Sequence, residues 1–423
     1  MQDRGEDMSE QADMEVLRMN RISFPMPAQA SACASKTHVR FNALQGSYSQ
    51  GQEVIVDVDS GAQLLNPHQS WLTFTLTVSG TNAAHTWSFG SKNAGALNCI
   101  SRSRVRLRNG SVLSDCSGLN HYMTTLLRYQ APASALGPLG GPPTSIFSAS
   151  GSGQNTQAFG AGLSTSVTYS IPLSLVNAAF STQSMWPAQV SSFRLECALS
   201  PVREALVSSD DVSYAISDVY VSASLYTLSD SISRRLNAVA AQSSLNLVFI
   251  DGFLTQSSVG NVATFSMSAT KTAALCTRAF VIQKDATAPV TARDYSQNLA
   301  PGAADSWYYQ LSGLFLPTSP TQTALQGYMH TLNAFGKLED YWHQNSGVSI
   351  ASYLAGDAVA SQSLDRTPYG SGLVLAGSVV SPQRPLQFQF SGTAVGAGRS
   401  LFMFVQAVVV CSIRSSSNAI VRS

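Results

Sequence analysis

The chain has 423 residues, of which 44% are hydrophobic and only 12% are charged, and its formal net charge is +1. The length predicts two domains, and the charged fraction is about half that of an average soluble protein. A surface so low in charge suits a protein that packs against copies of itself, because every buried charge costs desolvation. The balance of charges excludes an overall electrostatic attraction to nucleic acid.

The first 35 residues are predicted to form a mobile tail. They lack the charged and then apolar pattern of a secretory signal, and their six acidic residues against three arginines argue against neutralisation of phosphates. The longest strongly apolar segment, LFMFVQAVVVC at 401–411, is too short to span a bilayer. We therefore expect a protein that is neither exported by a standard signal nor integral to a membrane.

Most of the chain alternates apolar and polar residues, as half-buried β-strands do. In SWLTFTLTVSG (70–80), every second residue from Leu72 to Val78 is Leu, Phe or Val. The same pattern occurs at 100–108, 191–200, 218–228, 245–254, 263–270 and 386–390. Gly, Pro, Asn and Ser separate these runs, which indicates β-sandwiches. The Gly-, Ser- and Pro-rich stretch 138–166 has no periodicity and is predicted to be a long exposed loop.

Six cysteines are spread along the chain: Cys33, Cys99, Cys116, Cys197, Cys276 and Cys411. None belongs to a CxxC pair, and their spacing fits neither a zinc site nor a dense disulfide framework. We interpret them as reduced, mostly buried thiols, which implies folding inside a cell. A disulfide between Cys99 and Cys116 across a hairpin is the less favoured alternative.

Four arginines occupy every second position of CISRSRVRLRNG (99–110): Arg102, Arg104, Arg106 and Arg108. Because side chains alternate between the two faces of a strand, all four are predicted to share one face. Ser103, Val105 and Leu107 would then occupy the opposite face. The row is a candidate interaction site, and a solvated strand face is the alternative.

Two short segments are predicted to be related amphipathic helices. GLNHYMTTLLRY (118–129) and ALQGYMHTLNAF (324–335) align without gaps at an offset of 206 residues. They share Leu, Tyr, Met and Leu at the helix period. Each follows a strand-like run, at 100–108 and at 307–315. The offset is about half the chain, which predicts an internal duplication of two β domains.

The second of these helices also has start and stop signals. Thr318 or Ser319 can cap its N-terminus, Pro320 lies near the first turn, and Gly336 follows the last turn. A third helix is predicted at mid-chain in SDSISRRLNAVAAQ (229–242), which has apolar residues on one face.

Local patterns occur in a characteristic order along the chain. They are LLNPHQSWLTFTLTV (64–78), ISRSRVRLRNGSVLSDCSGLNHYMTTLL (100–127), YSIPLSLVNAAFSTQSMWP (169–187), and LECALSPVREALVSS followed by YAISDVYVSASLYTLS (195–229). With two tandem sandwiches that each carry a helix after a strand, the chain resembles the double jelly-roll major capsid protein family. That family builds the shells of tailless icosahedral DNA viruses, including virophages, polinton-like viruses and large eukaryotic DNA viruses. The resemblance extends over roughly residues 40–415.

The resemblance implies an all-β fold of two tandem eight-stranded jelly-roll sandwiches with a few short inserted helices. The expected divisions are an N-terminal tail (1–35), a first jelly roll (36–228), a linking helix (229–244) and a second jelly roll with the C-terminal tail (245–423).

The resemblance also implies a structural role and no enzymatic one. The chain would form pseudo-hexameric homotrimeric capsomers that assemble into an icosahedral virion shell. The implied partners are neighbouring capsomers, penton proteins and minor capsid proteins, with contact to an internal membrane or the genome left open. No cofactor and no small-molecule substrate are expected. The protein would be made in the host cytoplasm or nucleus and reside in the virion.

Two other functions are compatible with the composition. A secreted carbohydrate-binding or adhesin-like β-sandwich protein would share the low charge, but it predicts a signal peptide, calcium-binding Asp clusters or an exposed aromatic platform, and the sequence displays none of them. A minor capsid or spike protein would generally lack two full jelly rolls with matched helices.

The six histidines show no HExxH motif or paired ligand spacing.

The duplication bears on the arginine row. At the offset of 206 residues, the four arginines correspond to Tyr308, Gln310, Ser312 and Leu314. The fold therefore does not require arginine at these positions, and we favour a contact between subunits or capsomers, where Arg is enriched. Asp210, Asp211 and Asp218 are the predicted acidic partners, from a neighbouring segment or copy. Direct contact with the genome is the weaker alternative.

Overall fold

A computed structural model describes most of the chain: residues 33–61, 63–80, 85–89, 94–130, 156–159, 164–182, 185–188, 190–208, 211–234, 245–269, 271–285, 298–336, 338, 348–364, 377–393, 398–413 and 420–422. Within these residues, no helix has the length and apolar character needed to cross a membrane.

The described part of the first half contains twelve strands. They are β1 (Cys33–Asn42), β2 (Ser47–Ser49), β3 (Glu53–Val58), β4 (Leu64–Gly80), β5 (His85–Phe89), β6 (Ile100–Leu107), β7 (Val112–Ser117), β8 (Thr156–Phe159), β9 (Ser164–Pro172), β10 (Phe193–Leu199), β11 (Leu206–Ser208) and β12 (Val212–Leu228). The helices are α1 (Leu119–Gln130), α2 (Leu173–Val176) and α3 (Val202–Ala205), with 3-10 turns at Gly95–Cys99 and Ala178–Ser181.

The described part of the second half contains ten strands. They are β13 (Leu245–Val259), β14 (Thr264–Ala269), β15 (Ala273–Asp285), β16 (Ser306–Leu311), β17 (Leu314–Thr321), β18 (Ala360–Ser363), β19 (Ser378–Val380), β20 (Leu386–Ser391), β21 (Arg399–Ile413) and β22 (Ile420–Arg422). The helices are α4 (Ala324–Ala334) and α5 (Ile350–Ser352), followed by a π-helical turn at Tyr353–Asp357.

Each half is a sandwich of two antiparallel sheets with the same strand order. The first half has β1-β12-β4-β9, with β2 attached to β12, and β3-β10-β6-β7. The second half has β13-β21-β15-β18, with β19 and β22 attached, and β14-β20-β16-β17. When the eight main strands of each half are counted in chain order, both halves read 1-8-3-6 and 2-7-4-5, which is the jelly-roll order. A small sheet, β11-β5-β8, is added to the first half.

Alternation along the strands places the core between the sheets. In β4 four alternate side chains are almost completely buried: Leu72, Phe74, Leu76 and Val78. The intervening Thr73, Thr75 and Thr77 face the other way, and each hydroxyl shares a hydrogen bond with a Ser or Thr hydroxyl of β9, at 2.8–3.0 Å. The Ser- and Thr-rich composition thus supplies cross-strand hydrogen bonds on the outer face.

The strands predicted from alternation are confirmed, with one difference at 307–315. This run is not one strand but the hairpin β16–β17, which turns at Ser312 and Gly313. Both turn residues have positive φ, 53° and 83°, as a tight two-residue hairpin turn with matching twist requires. The usual sequence signals of such a turn are Asn-Gly and Asp-Gly, and the Ser-Gly pair here is not one of them.

The start predicted for α4 is also wrong, because the missed turn hides the strand β17 that precedes the helix. Pro320 and the two residues before it lie within β17. The helix is capped instead by Thr323, whose side chain accepts a hydrogen bond from Gln326 N at 3.2 Å. Gly336 follows the last turn with a φ of 66°, as predicted.

The two related helices occupy the same place in their sandwiches, after the fifth main strand. The matched Thr125 and Thr331 are both buried, and each hydroxyl donates to the carbonyl four residues earlier, at 3.0 and 2.8 Å. The matched residues at their ends meet directly, because the rings of Tyr129 and Phe335 stack at a centroid distance of 4.9 Å.

The cysteines agree with the interpretation as thiols, since the five whose side chains are described are free and buried. The tail before residue 33, most of the predicted loop at 138–166 and residues 235–244 of the predicted linking helix lie outside the described residues. Residues 230–234, at the start of that helix, are helical.

Candidate functional site

Three residues of the arginine row, Arg102, Arg104 and Arg106, lie on β6 in the sheet β3-β10-β6-β7, and Arg108 follows in the turn after this strand. As predicted, Ser103, Val105 and Leu107 are buried on the inner face, while Arg102, Arg104 and Arg106 lie on the outer face. Antiparallel pairing with β10 and β7 places acidic residues beside them, since Arg104 pairs with Glu196 on one side and with Asp115 on the other.

Asp115 and Glu196 are the main partners of the row. Arg102 donates from Nε and Nη2 to the two Asp115 oxygens at 2.8 and 2.6 Å, a bidentate geometry. Arg104 bridges Asp115 at 3.3 Å and Glu196 at 3.2 Å. Arg106 Nε lies 3.5 Å from the other Glu196 oxygen. The side chain of Glu196 is only 7% exposed, so this half of the network is shielded from solvent.

The edges of the face carry more exposed pairs. Arg108 lies 3.7 Å from Asp59, and both side chains are largely exposed. On β10 and β3, Arg194 donates to both oxygens of Asp57 at 2.7 and 3.0 Å. The charge of Glu53 also acts on Arg102. Among the residues that the structure describes, the face thus holds five arginines and five carboxylates. Its formal charge is therefore zero, which removes the basis for binding a polyanion.

The hydrogen bonds stabilise the charged forms. The hydrogen bonds to Asp115 raise the pKa of Arg102, and those to Asp57 raise the pKa of Arg194. The backbone N–H of Gly61, the hydroxyl of Ser192 and, more weakly, the charge of Arg108 lower the pKa of Asp59. These groups accordingly form a fixed pattern of alternating charge at neutral pH.

Two of the three predicted acidic partners lie elsewhere in this chain. Asp218 is 3.8 Å from Arg40, on the other sheet of the first half. Asp211 is exposed just before β12, and the ion pairs between described residues include none from it to the row; Asp210 lies outside the described residues. Whether either contacts the row of another copy stays a prediction.

On the described strands of the second half, the matching positions of β16 and β20 do not carry this charge pattern. Leu107 and Leu311 are the last paired residues before the two hairpin turns, and both pair with the first residue of a neighbouring strand, β10 or β20. This register shifts the correspondence with the arginines by two residues from the sequence alignment. The counterparts of Arg102, Arg104, Arg106, Arg194 and Glu196 are Ser306, Tyr308, Gln310, Gln387 and Gln389. The conclusion that the fold does not require these charges is unchanged.

A second functional feature is the junction between the two halves, which the sequence did not reveal. The ring of Tyr122 on α1 packs against Phe280 and Phe404 at centroid distances of 6.0 and 5.4 Å. Its hydroxyl accepts a hydrogen bond from Gln406 Nε2. Gly252 makes this approach feasible, because a Cβ there would lie 2.5 Å from the ring. The outer face of β13, β21 and β15 is thus covered by a helix of the first half.

The other end of α1 is held by the second half as well. Arg128 forms an ion pair with Asp357, and the hydroxyl of Tyr129 donates to the carbonyl oxygen of the same residue at 2.6 Å. Burial raises the pKa of Asp357 in spite of the arginine. Gly118, at the start of α1, has a φ of 65°, and a Cβ there would lie 2.8 Å from Leu254.

Surfaces equivalent to the two sides of this junction are exposed elsewhere on the chain. Leu119 and Met123 on α1 are 2% and 8% exposed, whereas the matched Leu325 and Met329 on α4 are 60% and 42% exposed. On β17, Leu314 and the neighbouring Phe315 are also exposed. The sheet face of the first half that matches the covered one is open too. It displays the exposed Lys36, His38 and Arg40 beside the partly buried rings of Trp71, Tyr220 and Tyr226.

Comparison with known proteins gives structural matches alone. No protein-family model matches the sequence, and no curated protein matches it. A quasi-atomic model of the PBCV-1 virus capsid is 11% identical, with a TM-score of 0.55, and the match covers 95% of this chain and 100% of that chain. The chain has the double jelly-roll fold. The fold predicted from the sequence resemblance is thereby confirmed.

Two further solved structures have this double jelly-roll architecture. The mavirus major capsid protein is 9% identical, with a TM-score of 0.54, over 95% of this chain and 92% of that chain. The Faustovirus major capsid protein is 7% identical, with a TM-score of 0.53, over 94% and 93%. Within the described residues of the present chain, no group of three or more His, Cys, Asp or Glu is placed to hold a metal ion.

Proposed function

We propose that the chain is a major capsid protein of a virion, that three copies form a pseudo-hexameric capsomer, and that capsomers assemble into an icosahedral shell. The likeness in fold to the PBCV-1, mavirus and Faustovirus capsid proteins supports the general role. One observation supports the assembly. The junction between the two jelly rolls is formed by two surfaces, and the chain carries a second, exposed version of each surface elsewhere.

The closed junction defines what each side contributes. The donor side is the fifth main strand and the helix after it, where Gly118 and Tyr122 make the contact. The acceptor side is the outer face of the sheet that holds β13 and β21, where Gly252, Leu254 and Phe404 receive it. Both sides belong to elements that every jelly roll of this chain possesses.

The open counterparts fit the same contact between copies. The second jelly roll presents β17 and α4 as a donor, with Phe315, Leu325 and Met329 exposed. The first jelly roll presents the outer face of β1, β12 and β4 as an acceptor. The exposed apolar side chains of the donor form a cluster of the kind that marks interfaces on soluble proteins. A donor and an acceptor on different faces form a heterologous contact, which generates a closed ring when the rotation closes. Three chains would supply six jelly rolls for such a ring.

We assign the units of this assembly as the jelly rolls at 36–228 and 245–423, joined through 229–244. The face of alternating charge on the first jelly roll is then available for contact with neighbouring capsomers. A neutral surface with both signs fits a partner that also carries both signs, and it does not fit the genome. The role is structural and not catalytic, and penton and minor capsid proteins are further partners at the edges of the shell.

The test uses a pair of substitutions on the proposed donor surface. Phe315→Asp combined with Leu325→Asp should convert the assembled species into a monomer of 44.8 kDa while circular dichroism stays unchanged, because both side chains are exposed in the single chain. Val262→Asp is the matched control, since that apolar residue is comparably exposed but lies in the turn between β13 and β14. An unchanged assembled mass in the double variant would contradict the proposed ring contact.

A further inference from the structure

Ionisable side chains are buried in the seam where α1 lies on the second jelly roll. Lys284 of β15 is 5% exposed and, by alternation, shares the outer face of the sheet with Phe280, one of the rings beneath α1. His121 of α1 is 7% exposed, and its ring lies 4.3 Å from that of Phe402. His121 Nε2 is 3.8 Å from Glu204 Oε2 on α3. The seam therefore buries two bases outside the core of either sandwich.

Charged groups from each packed element face this cluster. α1 also contributes Arg128, which pairs with Asp357 of the π-helical turn. α3 contributes Glu204, which accepts a hydrogen bond from Asn120 at 3.0 Å. Arg278 of β15, whose pKa is lowered by burial, lies further along the same face. These groups remain with one jelly roll or the other when the seam separates, so separation exposes the buried bases to water.

We propose that the junction between the two jelly rolls opens on acidification, with uptake of protons by His121 and Lys284, while each sandwich stays folded. This inference concerns the single chain and does not depend on the proposed capsid function. The seam would then be a pH-sensitive contact between the two jelly rolls.

The physical reason is that burial disfavours the charged form of a base. Burial, aided by the charge of Arg128 and opposed by that of Glu204, lowers the pKa of Lys284 from 10.5 to about 7. Burial and then the charge of Lys284 hold the pKa of His121 well below its usual 6.5. An open seam restores ordinary values and so binds more protons, which means that falling pH favours opening.

The pH range in which each base favours opening follows from these pKa values. Lys284 contributes as the pH falls from 10.5 to about 7 and adds nothing further below that. His121 contributes below pH 6.5. Between pH 8 and pH 6 the open population should rise about tenfold through Lys284 and about fourfold through His121, or about 40-fold together. Asp357, whose pKa is raised by burial, acts in the opposite direction near the ordinary titration range of a carboxyl group.

Hydrogen exchange of the full chain, read by mass spectrometry at pH 8 and pH 6 and corrected for intrinsic rates, tests the proposal. Peptides from α1 should lose about 40-fold in protection at pH 6, while peptides from β10 and β20, in the cores of the two sandwiches, keep theirs. Protection of α1 that is equal at both pH values would overturn the proposal. Equal loss in all peptides would also overturn it, because that would be global unfolding.

Variants separate the two bases. Lys284→Met should reduce the loss to about fourfold, His121→Phe should reduce it to about tenfold, and the double variant should abolish it. Lys271→Met is the control, because this lysine of the same jelly roll is exposed, and it should behave as the parent chain. If Lys284→Met does not fold, the tenfold loss of protection expected for His121→Phe still tests the proposal. A loss of about 40-fold that survives in His121→Phe refutes the assignment.

Discussion

Gly252→Ala should weaken the joint between the two jelly rolls. The added Cβ would lie 2.5 Å from Cε2 and 2.7 Å from Cζ of Tyr122, well inside van der Waals contact. The ring cannot move away freely, because Phe280 and Phe404 pack against it and Gln406 donates to its hydroxyl. Overpacking of this kind costs about 1–3 kcal/mol in the free energy of unfolding.

Gly260→Ala is the matched control, since nothing lies within 4 Å of a Cβ there. It should leave stability unchanged or raise it by up to about 1 kcal/mol, because alanine restricts the unfolded chain. Urea unfolding monitored by fluorescence and circular dichroism gives both values. In a Tyr122→Ala background, where the ring is gone, Gly252→Ala should cost almost nothing. Equal stability of the two glycine variants in the parent chain would refute the packing argument.

Three further predictions concern the charged face, the hairpin and the thiols. Glu196→Gln should lower the free energy of unfolding by about 1–3 kcal/mol, because Arg104 loses a shielded partner, while Asp59→Asn at an exposed pair should shift the urea midpoint little. Ser312→Asn should raise the melting temperature and Ser312→Val should lower it, because asparagine tolerates the positive φ of this position and a β-branched residue does not. In the folded protein at pH 8, the five described thiols should not react with Ellman's reagent, since burial raises the pKa of Cys276 to about 11 and that of Cys197 to about 12.

Period-2 patterns identified the strands because each sheet of a sandwich buries only one face. They could not place the turn at 312–313, where the alternation of aromatic and apolar residues continues through a Ser-Gly pair. Without that turn the sequence does not predict β17, and Thr318, which lies within this strand, was predicted as a helix cap instead. The helices at 118–129 and 324–335 were found because their matched residues follow the helix period.

Alternation also assigned Arg102, Arg104 and Arg106 to one face correctly, since that depends only on local geometry, but it did not show that the strand ends before Arg108. Their partners depend on strand pairing. Asp115 is 11 residues from Arg104, and Glu196 is 92 residues away on β10, so no local pattern reveals them. The seam was missed because its key residue is Gly252, whose role is the space that it leaves for Tyr122. An isolated Gly within the apolar run LNLVFIDGFL was the one available signal of a close approach.

The mass of the chain in solution tests the account most directly. Light scattering on residues 1–423, followed by negative-stain electron microscopy of the main peak, should give a species of three times 44.8 kDa with a hexagonal outline. A monodisperse monomer of 44.8 kDa that keeps its β structure would contradict the capsomer and leave the exposed surfaces of β17 and α4 without the partner proposed for them.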